Sequence, residues 1–106
     1  MAWTILFHEV AESEYLAQPA DIQAQFERIK NIVIAHGLFQ LPGKFFKHIS
    51  GPVWEFRLNG KDGIARALYV TRSGQRIIVV RVFTKKTEKT PRGEIEIALR
   101  RSGDVP

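Results

Sequence analysis

Cysteine is absent from the 106 residues, which excludes disulfides, thiolate metal sites and a cysteine nucleophile. Histidine is scarce: His8, His36 and His48 are scattered and form no ligand spacing, so neither a zinc site nor any other cofactor is expected. No apolar run approaches the roughly 20 residues needed to cross a bilayer. The first eight residues have no basic stretch ahead of their apolar one, so they read as a strand and not as a signal peptide. The expectation is a cytoplasmic protein without a membrane partner. Asn59-Gly60-Lys61-Asp62-Gly63 departs from GxxxxGK[ST], so there is no phosphate loop of that kind. No Ser-His-Asp constellation is legible either.

What is present is ordinary globular material, 44% hydrophobic and 25% charged, enough for one modest core. Residues 1–101 read as a single domain and 102–106 as a frayed tail. The charge is unevenly spread. Residues 1–43 carry two basic and five acidic side chains, a net −3, whereas residues 44–106 carry fourteen against six, a net +8. Such asymmetry points to one surface that faces a polyanion.

Trp3 to His8 is a strand candidate, and Glu9 to Leu16 a short helix ended by Gln18-Pro19. Pro19 can open a second helix, on which Ile22, Phe26, Ile29 and Val33 fall on one face, with Gly37 as its cap. Further strands are expected at Lys44–Ile49, Val53–Leu58, Ile64–Val70 and Arg76–Thr84. The last of these is apolar on both faces in its first half and therefore central. Two glycines of the 59–63 turn are available for positive φ. Thr90-Pro91 opens a final helix with Ile95, Ala98 and Leu99 turned inward. The fold class is α+β: an N-terminal strand and a helical hairpin on one side of a mostly antiparallel sheet of four to five strands, with a short C-terminal helix.

Alternation puts Trp54, Phe56 and Leu58 on one side of their strand and Glu55 and Arg57 on the other. Arg66 shares a side with Leu68 and Val70, and Arg81 with Phe83. Arg57, Arg66 and Arg81 can thus converge on one open face, flanked by Lys85, Lys86 and Lys89. A cation within an apolar strand is costly unless it reaches water or a partner. The plainer reading pairs Arg66 and Arg81 with Glu55 and Glu88. Clustered Arg, Lys and Tyr suit metal-free RNA phosphodiester chemistry, in which the ribose 2′-OH is the nucleophile. The protein then supplies in-line orientation, cations for the phosphorane oxygens and proton transfer. Tyr69 either stacks on a base or packs inside.

The segments Trp54-Glu55-Phe56-Arg57, Arg66-Ala67-Leu68-Tyr69 and Lys85-Lys86-Thr87-Glu88-Lys89-Thr90-Pro91-Arg92-Gly93-Glu94-Ile95 resemble the RelE/ParE superfamily. The similarity is closest to its HigB-like, phage-derived branch and spans nearly the whole chain, including the helical hairpin and Leu41-Pro42-Gly43-Lys44. The resemblance implies a RelE-like fold and a type II toxin that cuts mRNA on the ribosome. It also implies a cognate antitoxin, a small helix-turn-helix DNA-binding protein, as partner. Carried over by position, the catalytic residues are Arg57, Arg66 and Lys85 or Lys86, with Lys44 and Lys47 as RNA contacts. Tyr69, Arg81 and Lys89 join them as RNA-binding residues from the strand reading. Arg81-Val82 stands where the branch has His-Gly before the phenylalanine, so proton transfer must fall to Lys85, Lys86 or another group. The alternatives are a ParE-like, non-catalytic inhibitor of DNA gyrase and an inactive relic that only binds antitoxin. The convergent arginines favour the ribonuclease.

Overall fold

The β-branched run from Ile77 to Val80 lies inside a five-stranded sheet, where apolar side chains are needed on both faces. A computed structural model describes residues 2–86 and 89–106. Its strands are β1 (Thr4–Phe7), β2 (Phe46–Ser50), β3 (Val53–Asn59), β4 (Ile64–Arg72) and β5 (Arg76–Lys85). They lie side by side in the order β1-β5-β4-β3-β2, with β1 parallel to β5 and the other pairs antiparallel. β5 is thus interior, although β4 is the middle strand.

Helices α1 (Glu9–Leu16) and α2 (Ala20–His36) cover one face. The expected stripe Ile22, Phe26, Ile29 and Val33 is buried against Phe56, Leu58, Ala67, Tyr69 and Val79. α2 ends at Gly37, whose φ of +91° is a conformation that side chains rarely adopt. Gly60 is needed for a different reason from the one expected, since it does not have a positive φ. A Cβ there would sit 2.7 Å from Ile22 Cδ1 and 2.9 Å from Asp21 Oδ2. The β3–β4 turn is instead pressed onto α2, with the Lys61 N–H donating to Asp21 and the Asn59 N–H to Gln25 Oε1 at 2.8 Å.

The opposite face is not open, as the strand pattern suggested. Helix α3 (Arg92–Ser102) lies on it and joins Val53, Leu68, Val70, Ile78, Val80 and Phe83 in a second core through Ala98. Of its expected inward residues Ala98 is fully buried, but Leu99 is 40% exposed. The chain end is tied down, contrary to the frayed tail expected. Val105 packs on this second core, Arg72 Nη2 donates to the Ser102 carbonyl at 2.7 Å, and His8 meets Asp104 at 3.3 Å.

A β-bulge interrupts the β4–β5 ladder. Tyr69 is opposite Val79 and Leu68 is opposite Arg81, so Val80 is the extra residue. Before it, Ile78 faces the α3 side and Ile77 and Val79 the α1–α2 side. After it the parity reverses, with Val82 on the α1–α2 side and Phe83 on the α3 side. The odd-numbered residues Arg81, Phe83 and Lys85 are thereby delivered to the α3 face.

β1 is short, and beyond its end α1 runs beside β5. There Glu14 accepts the Val82 N–H at 3.1 Å and binds the guanidinium groups of Arg81 and Arg101. One carboxylate thus joins α1, β5 and α3.

Candidate nucleic-acid interface

Strand register brings four elements to one place on the α3 face. Lys47 of β2 is opposite Glu55 of β3, Arg57 of β3 is opposite Arg66 of β4, and Arg66 is opposite Phe83 of β5. Two residues on, Lys85 closes the row. α3 covers the apolar part of this face and leaves the cationic end as a cavity of about 160 Å³. Its polar lining comes from Lys47, His48, Glu55, Arg57, Lys85, Lys89 and Thr90. Among the described residues that is four cations against one carboxylate.

The groups differ in access. The Arg57 side chain is 34% exposed, whereas that of Arg66 is 8% exposed and donates through Nη1 to the Ala65 carbonyl at 2.9 Å. Lys85 is buried and Lys47 and Lys89 are exposed. Glu55 is buried beneath them and meets both arginines and Thr90. Strand alternation alone considered Glu55 only as a neutralising partner for Arg66; its contact with Thr90, from the segment after β5, carries no periodic signal.

Other expected site residues lie elsewhere. Lys86 is exposed and lines a neighbouring cleft with Phe83, Pro91, Glu94 and Lys85, the last of which lines both. Lys44 sits in a 3₁₀ turn (Gly43–Phe45) with Nζ 5.1 Å from the centre of the Phe45 ring. Arg81 is on the α3 face as expected, but its guanidinium is bound by Glu14 and by Glu94, the latter at 3.0 Å, so it braces the fold. The pairing with Glu88 lies outside the described residues.

Tyr69 belongs to the opposite face and packs inside, so it offers no platform for a base. It is fully buried and stacks on Phe56 with ring centres 4.1 Å apart, because alternation along β4 turns it toward α2 with Ala65 and Ala67. Burial pushes its phenol well above the usual tyrosine range, and among the described residues its hydroxyl has no hydrogen-bond partner. Tyr69→Phe is therefore expected to raise unfolding free energy by about 1 kcal/mol, since it deletes an unsatisfied polar atom and keeps the ring stack. A urea melt measures this, and a loss of stability of that size would show that the hydroxyl is satisfied in solution.

His48 is the one histidine that borders this cavity. His48 pairs with Trp54, and its ring lies 5.0 Å from the indole on the other face, with Nε2 2.8 Å from the Gly51 carbonyl. His8 caps α1 by accepting the Val10 N–H, and His36 is in the last turn of α2. The cavity therefore presents guanidinium and ammonium groups, a donor set suited to oxyanions. The described residues hold no group of His, Asp or Glu placed to bind a metal ion.

The model of the phage-derived protein Gp49-like family (DUF891) matches residues 13–102, from within α1 to the end of α3. The chain belongs to the Gp49-like family. Among solved structures this Gp49-like chain is similar to a chain of the archaeal RelE–RelB complex from Pyrococcus horikoshii OT3. The TM-score is 0.54 at 16% identity, over 79% of this chain and 96% of that one. Its fold is thus RelE-like, as the resemblance implied, and α+β, as the strand and helix patterns led us to expect. A search of curated proteins gave no significant match. No helix among the described residues is long and apolar enough to cross a membrane.

Proposed function

We propose that this Gp49-like chain is the toxin of a type II toxin–antitoxin pair and acts as a metal-independent endoribonuclease on mRNA held by the ribosome. The observation that carries the reading is that Arg57, Lys85, Lys47 and Lys89 line one cavity, with Arg66 opposite Arg57 on the next strand. Family membership and the RelE-like fold support it.

In this reading Arg57, the exposed guanidinium, holds the non-bridging oxygens of the scissile phosphate, and Arg66 backs it. The 2′-OH gives its proton to water as its oxygen attacks phosphorus and the bond to the 5′-oxygen breaks. This leaves a 2′,3′-cyclic phosphate and a 5′-hydroxyl, and the cations stabilise the charge that builds on the phosphorane. Lys85, the buried lysine of the wall, gives the leaving oxygen its proton. A cognate antitoxin neutralises the toxin in this reading, which the RelE–RelB complex of the structural neighbour supports.

Primer-extension mapping of mRNA on programmed ribosomes tests the proposal: new ends are expected with wild-type protein, unaffected by chelator. Intact mRNA together with inhibition of DNA gyrase would replace it with the ParE-like reading. Intact mRNA, active gyrase and no growth arrest would leave only an antitoxin-binding relic. Binding to a single-stranded RNA oligonucleotide should also weaken with salt, with a log–log slope of about −3 for four wall cations. A slope near zero would remove phosphate contact from the account.

A further inference from the structure

Among the described residues Glu55 is the one residue of the cavity whose charge opposes the substrate, and only 1% of its surface is exposed. An acid so placed is costly to bury and weakens attraction for a polyanion, so electrostatic binding alone gives no reason for it. Its contacts supply one. Oε1 accepts the Thr90 hydroxyl at 2.7 Å, while Oε2 lies 3.4 Å from Arg57 Nε and 3.5 Å from Arg66 Nε. A fork-on-fork pair would occupy the terminal nitrogens of a guanidinium. Contact through Nε instead leaves the terminal nitrogens of Arg57 outside this pair, on a side chain that lines the cavity. The Thr90 bond anchors the segment after β5 that brings Lys89 to the wall.

We infer that Glu55 is a positioning residue for the cleavage proposed above, on which this inference rests. Its charge fixes two like-charged guanidiniums in the orientation that meets the phosphate, and it does so at the expense of RNA affinity. A simple stabilising ion pair would affect binding and turnover in the same direction; this arrangement moves them in opposite directions. Without the carboxylate the arginines repel one another and reorient, although the cavity becomes more cationic.

The test compares wild type with E55Q, which keeps the shape and an acceptor for Thr90, and with E55D, which keeps the charge. E55Q is expected to bind a single-stranded RNA oligonucleotide about threefold more tightly at low salt. Its kcat on programmed ribosomes should fall by about 10- to 100-fold, the scale of a misplaced catalytic group. E55D should return RNA affinity to the wild-type level and recover part of kcat. A kcat unchanged in E55Q, or affinity and kcat falling together, would overturn the inference.

A further arm needs no variant and no catalysis. In wild-type protein the Arg57 and Arg66 Nε–H resonances should show high order parameters and slow exchange with water. Mobile, fast-exchanging groups would refute the grip of Glu55 directly. If wild-type protein does not cut mRNA, the proposed reaction falls, and the resonance and oligonucleotide arms still decide whether Glu55 holds the arginines.

Discussion

Replacing Glu14 with alanine is expected to lower the melting temperature by about 12–24 °C. The side chain is 18% exposed and serves Arg81, Arg101 and the Val82 N–H, with Arg101 Nη1 at 2.9 Å from Oε1 and Nη2 at 3.0 Å from Oε2. Its loss leaves two part-buried guanidiniums short of a counter-charge and a strand N–H without its acceptor. Breaking such a pair from one side costs about 3 kcal/mol, and each kcal/mol shifts a domain of this size by about 4–8 °C. Arg81 keeps Glu94 as a second partner. A thermal melt showing a change under about 3 °C would mean that water replaces Glu14 at little cost.

The same residue gives an acid limit to stability. Burial pushes the Glu14 carboxyl upward, but hydrogen bonds from Arg101 and the Val82 N–H and the charges of Arg81 and Arg101 outweigh it and hold it below its ordinary value of 4.5. The unfolded carboxyl therefore takes up its proton at a pH where the folded one has not. Stability from Glu14 is complete above about pH 4.5 and is lost as pH falls through the folded value. Wild type and Glu14→Gln should differ at pH 7 and converge in strong acid. A gap that widens on acidification would contradict this sign.

The second large effect concerns cleavage. Arg57→Ala and Lys85→Ala are each expected to lower kcat on programmed ribosomes by about 10²–10⁴-fold, the range for losing an oxyanion donor or a general acid. Lys86→Ala, an exposed lysine outside the cavity lining, should stay within about threefold, the electrostatic effect of one screened surface charge. Lys85→Arg keeps the charge but not the transferable proton, so it should bind RNA normally and remain slow. The series assigns the lysine: equal losses at 85 and 86 would show that the cleft and the cavity act as one surface.

Much of this architecture follows from local patterns. Ile22, Phe26, Ile29 and Val33 mark the buried side of α2 because a helix repeats every 3.6 residues, and Glu55 and Arg57 separate from Trp54 and Phe56 because a strand repeats every two. Those periods also put Arg57 and Arg66 on a common face. What was not legible depends on contacts between residues far apart in the chain. Nothing near Glu14 in sequence announces Arg81 or Arg101, and nothing near Gly60 announces that Ile22 comes within reach of it. α3 carries apolar residues on more than one side, so periodicity could not separate Ala98, which is buried, from Leu99, which is not. The tail looked loose because five residues show no period, yet Val105 has a core to pack on.

The extra residue at Val80 gives β5 one place where its length is negotiable. With Val80 removed, Val79 and Arg81 would follow each other as ordinary strand neighbours, and Val82, Phe83 and Lys85 would keep both their faces and their partners on β4. Diversification of this segment, natural or in a library, can therefore include a one-codon shortening at 80 as well as point changes.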